Sequence, residues 1–166
     1  MLKKLLVLSA LAMTTIGLAH ILAVGSYGHG TATTHDGRVG AFDYSVSKRT
    51  AEGHLPQFEG RLRFEQQQNH AGPRVVIEMG KPAMVGVVGN VCEFAGRGSL
   101  TRERNGHHET VYGHVSVRVV DRRNLHHPHN DADLFRITFR DAHHNSFGFD
   151  GLVDHGDLVV FSRHEH

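Results

Sequence analysis

The sequence predicts a single all-β domain, an antiparallel β-sandwich or small barrel of about eight strands, preceded by a signal-peptide helix. Three observations carry that expectation. Apolar and polar residues alternate over short runs, the period of a strand with one face on a core. Glycine and asparagine turn signals separate the runs at spacings of about 8 to 15 residues. Outside the N-terminus, no segment sustains a 3.6-residue period.

The chain opens with the basic Met1-Leu2-Lys3-Lys4 and the apolar run Leu5 to Ala19, the layout of a secretory signal peptide. Gly17 and Ala19 are small residues at −3 and −1 for cleavage after Ala19; cleavage after Ala23 puts bulky Ile21 at −3. The expected organisation is a leader over 1–23, a flexible Gly-rich lead over 24–37, a β domain over 38–161 and a His-rich tail over 162–166. A retained N-terminal membrane anchor is the alternative, because Leu5 to Val24 approaches the roughly 20 residues that span a bilayer. Ser9, Thr14, Thr15 and His20 dilute that stretch, and no basic stop-transfer cluster follows. A secreted or periplasmic protein is therefore expected.

Val39 to Val46 places Phe42, Tyr44 and Val46 on one face. Gly60 to Glu65 sets Leu62 and Phe64 against outward arginines and glutamate, and Arg74 to Met79 is a β-branched run ended by Lys81-Pro82. Ala83 to Leu100 is long and interrupted by glycine, as where a strand turns a corner. Asn105-Gly106 is a hairpin signal before the regular strand Thr110 to Val120. Asp121 to Asp133 reads as a polar loop. Leu134 to Phe139 and Phe147 to Phe149 return to alternation, and Gly151 to Phe161 reads as two short strands around an Asp-His-Gly turn.

Taken in order, several segments form a pattern: Ala41 to Val46, Gly60 to Phe64, Val87-Val88-Gly89, Phe94 to Leu100, Val115 to Asp121, Asp133 to Ile137 and Phe149 to Val160. The pattern resembles the post-COAP domain family, a small β-rich module of secreted bacterial proteins. The resemblance covers about residues 38 to 161 and implies a fold class and a secreted setting. It implies no catalytic or ligand residues, and this chain fills its loops with histidine and arginine of its own.

Cys92 is the single cysteine, so no intramolecular disulfide holds the fold, and its apolar neighbours mark it as a buried structural thiol. There are 18 Lys+Arg against 17 Asp+Glu, and loss of Lys3 and Lys4 with the leader puts the acids one ahead. That balance gives no field to attract nucleic acid, and Arg61, Arg63, Arg118, Arg122 and Arg123 read as solvated strand faces. Gly-x-Ser-x-Gly is absent, and Ser146 with His143, His144, Asp141 and Asp150 reads as a polar turn, as does Asp154-His155-Gly156-Asp157. No catalytic or cofactor-binding residue is assigned, and a non-enzymatic module is expected.

The outstanding feature is 16 histidines, many of them in doublets placed in connections. Imidazole titrates in the physiological range and is the commonest metal ligand. The leading expectation is a surface-interaction module whose histidines, once protonated, contact anionic surface polymers. The alternative is binding of zinc or copper by His107, His127, His129 and His143, should those loops gather at one end. An enzyme or small-ligand carrier is the third reading.

Overall fold

Alternation decides the local structure throughout. In the computed structural model, which describes residues 21–66, 73–122, 132–143 and 145–165, nine strands and no helix occur. They are β1 (Ile21–Thr34), β2 (Val39–Ala51), β3 (Gln57–Gln66), β4 (Arg74–Met79), β5 (Met84–Val88), β6 (Val91–Arg104), β7 (His107–Val120), β8 (Leu134–Asp141) and β9 (Ser146–Glu165). Most of the expected leader, and His126, His127 and His129, lie outside the described residues.

Eight strands close an antiparallel barrel in the order β1-β2-β3-β4-β6-β7-β8-β9, with β9 returning to β1. Of the two architectures expected, the barrel is the one formed. The ninth strand, β5, comes from a break in one wall. β4 occupies the edge of β6 from Gly98 to Glu103, and β5 takes up the same edge from Val91 to Ala95. Asn105 and Gly106 connect β6 to β7 with φ of 53° and 78°, the left-handed pair a type I′ turn requires.

The lumen is a packed core. Phe42 stacks on Phe135 at 4.6 Å, Phe64 meets Phe149 at 4.9 Å, and Tyr44 stacks on Phe94 at 5.4 Å. Ile77, Leu100, Val115, Ile137 and Leu158 fill the space around these rings. Tyr44 brings a hydroxyl into this core and satisfies it. Ser26 Oγ donates to the Val159 carbonyl at 2.8 Å, which leaves the phenol to donate to Ser26 Oγ at 2.9 Å. Burial pushes the Tyr44 pKa far up, so the ring stays neutral.

Three expectations are corrected. The Gly-rich segment 24–37 is not a flexible lead: most of it lies in β1, paired with β2 on one edge and β9 on the other. The segment 151–161 is not two strands but part of the single strand β9, which continues through Glu165 and absorbs the tail expected from 162. The Asp-His-Gly signal marks a bulge in it. Thr31 pairs with His155 and Ala32 with Val153, leaving Asp154 as the extra residue. The bulge needs Gly156 at φ 91°, because a Cβ there would stand 2.1 Å from the His29 carbonyl oxygen.

Candidate functional site

The described histidines, namely His29, His35, His54, His107, His108, His114, His143, His155 and His164, are all exposed. None serves the core. His107 begins β7 and His143 lies in the turn between β8 and β9. Asp141 is level with Gly113, six residues along β7 from His107, so about 20 Å of strand separates the two candidates. The connection containing His127 and His129 leaves from the other end of β7, and those two residues lie outside the described ones. Among the described residues, no group of three His, Cys, Asp or Glu side chains is placed to hold a metal ion.

The polar turns are occupied by structural work. Asp141 accepts hydrogen bonds from the backbone N–H of His143 and Asn145 and from Asn145 Nδ2, each at 2.8 Å, which fixes the β8–β9 turn. Asp150 accepts from Arg136 Nε at 2.8 Å. Neither carboxylate is directed to Ser146. Asp154, at the bulge, accepts from Thr31 Oγ1 at 2.5 Å and Thr33 Oγ1 at 2.6 Å. Partial burial raises its pKa, but those hydrogen bonds outweigh it and bring the value to about 2. Cys92 is fully buried, and burial, with Glu93 nearby, pushes its thiol up to about 12. A thiol held that high is a packing element.

With the lumen filled, chemistry is left to the outer wall, where a broad open groove crosses β4, β6, β7 and β8. Beneath it two glycines at inward positions, Gly98 and Gly113, face each other. A Cβ on Gly98 would lie 2.4 Å from the Glu78 carbonyl oxygen, and one on Gly113 would lie 2.3 Å from that of Arg140. The backbones approach that closely only without side chains. Outward residues of the same strands line the groove: Arg97, Ser99, Tyr112, His114, Thr138 and Arg140.

Strand register gives this lining its electrostatic character. Arg97 pairs with His114 across β6–β7, and His114 pairs with Arg140 across β7–β8. Directly opposite side chains have Cβ atoms about 5 Å apart, so three basic groups stand in one lateral row. Arg140 pairs in turn with Ser146, so the row meets no carboxylate there. The next outward row of the same face but one is Glu93, Arg118, Arg136, Asp150. There each arginine has an acid beside it, with Arg118 Nη1 at 2.8 Å from Glu93 and Arg136 Nε at 2.8 Å from Asp150.

Arg63 and Arg74 are matched too, whereas among the described residues outward Arg61 forms no ion pair. Arg63 contacts Glu78 and Glu65, and Arg74 contacts Glu65 at 2.8 Å and Glu103 at 3.1 Å. Among the described residues, Arg97 and Arg140 form no ion pair. Sequence reasoning passed over all three members of the row and singled out paired arginines such as Arg118. One half was accessible: a two-residue turn at Asn105-Gly106 sets Arg97 opposite His114 by counting outward along both strands.

Comparison of the chain with protein-family models, with curated proteins and with solved structures finds no match.

Proposed function

We propose that the protein is a non-enzymatic binding module, secreted or periplasmic, that holds anionic polymers against the outside of its barrel. The observation that carries this reading is the filled lumen. Phe42, Phe64, Phe94, Phe135 and Phe149 occupy the space in which a carrier of this architecture keeps its ligand. Recognition then falls to the wall, where exposed histidines add positive charge as pH falls.

The test is binding of the mature protein to immobilised dextran sulfate and to neutral dextran at pH 5 and pH 8. Binding to the sulfated polymer alone, tighter at pH 5, is the expected result. Equal binding at the two pH values removes the protonation step from the reading. Failure to bind dextran sulfate at either pH overturns it. Saturable uptake of a fatty acid or other apolar probe would instead revive the carrier reading.

A further inference from the structure

The unpaired row on β6, β7 and β8 is costly to the barrel by itself once His114 carries a proton. Like charges placed directly opposite on neighbouring strands destabilise a sheet. The same wall avoids that cost at Arg118 and Arg136 by setting Glu93 and Asp150 at the ends of their row. At Arg97 and Arg140 it supplies no such acid. The missing negative charge is then one that arrives from outside.

We propose that Arg97, His114 and Arg140 form an oxyanion-binding site, taking a sulfate or phosphate ester group of a polymer with uptake of a proton at His114. The proposal rests on the outer-wall reading above and assigns it a place and a ligand chemistry. Guanidinium groups offer paired N–H donors matched to the oxygens of such esters. The hydroxyls of Ser99, Ser116 and Thr138 line the same groove and add neutral donors.

His114 is the centre of the row, and its surroundings set the sign of its response. Arg97 faces it from β6 and Arg140 from β8. Tyr112 and Ser116 flank it on β7 and are neutral. The acids nearest the groove are committed elsewhere, Glu78 to Arg63 and Asp141 to the β8–β9 turn. An anion held between the arginines lies beside the imidazole and attracts a positive charge there, so occupancy favours the protonated form. By linkage, the proton favours the anion by the same factor.

The experiment is calorimetric titration with dextran sulfate, and separately with dextran phosphate, at pH 5.5 and pH 8. Buffers of different ionisation enthalpy read the proton uptake. The expected result is about tenfold tighter binding at pH 5.5, equivalent to about 1.4 kcal/mol, with net proton uptake near neutrality. His114→Gln should bind as the unaltered protein does at pH 8 and lose the gain at pH 5.5. Arg97→Gln with Arg140→Gln should lose at least tenfold at both pH values, while Arg61→Gln, on another face, changes neither. Weakening of only one of the two polymers in the double variant upholds the site and names its ester.

Retention of full affinity by the double variant overturns the site, as does an undiminished pH gain in His114→Gln. In either case continued polymer binding leaves the outer-wall reading standing. All three positions are exposed strand residues, and a matched circular dichroism spectrum establishes that each variant is folded.

Discussion

Two arginine-to-glutamine changes, four residues apart on β8, should move stability in opposite directions. Arg136 is hydrogen-bonded to Asp150, and its side chain is 50% exposed. An exposed pair of that kind contributes about 0.2–1 kcal/mol. Arg136→Gln loses it and recovers only part of the repulsion from Arg118, so a net loss of a few tenths of a kcal/mol follows. Arg140 has no carboxylate to lose and stands opposite His114. At pH 5, where the imidazole gains charge, Arg140→Gln should stabilise the barrel by about 0.2–1 kcal/mol, and at pH 8 it should change stability little. The separation between the variants is on the order of 1 kcal/mol, or about 2–4 °C in Tm for a domain of this size. Thermal unfolding followed by circular dichroism at low ionic strength resolves it, and 1 M salt should shrink it. A lower Tm at pH 5 for Arg140→Gln than for the unaltered protein would refute the argument that the row is electrostatically frustrated.

Phe135→Ala removes a ring stacked between Phe42 at 4.6 Å and Phe64 at 5.8 Å, and should cost about 3–5 kcal/mol in urea unfolding; a loss below about 1 kcal/mol would mean the lumen is not close-packed. Asp154 has its pKa lowered from 3.8 to about 2, so its contribution is full above about pH 4 and is lost as pH falls through 2. Asp154→Asn should therefore be less stable than the parent at pH 7, with the gap closing between pH 4 and pH 2; a gap independent of pH would disprove that account. If the leader is cleaved, mass spectrometry should place the mature N-terminus at His20, because cleavage after Ala23 would strip β1 of its pairings from Ile21 to Ala23 with both neighbours.

Strands whose inward positions are large were readable from the chain itself. Phe42, Tyr44 and Val46, or Phe135, Ile137 and Phe139, announce both the element and its buried face. β1 was not readable for a physical reason. Its inward residues are Ser26, Gly28 and Ala32, kept small by close backbone neighbours and by the large rings within the lumen, so its apolar alternation vanishes. β9 was misread because a bulge and a turn draw on the same aspartate and glycine chemistry. The basic row needed a register that sequence supplies on one side only. The Asn105-Gly106 turn fixes Arg97 against His114, whereas the long connection before β8 leaves the partner of His114 undetermined.

The pairing of β1 with β9 has a temporal consequence. Seven of the eight junctions in the barrel wall join strands that are neighbours in the chain or separated by one short strand, and form as hairpins do. The eighth joins the first described residues to the last, Ile21 to Glu165. Contacts of that sequence separation form late, since the loop they close is almost the whole chain. Until the final strand arrives, β1 is an unclosed edge of small residues, and the aromatic interior stays open along one side. A chain interrupted before β9 therefore has Phe42, Phe64, Phe94 and Phe135 in place but lacks both Phe149 and the strand that seals those rings from water.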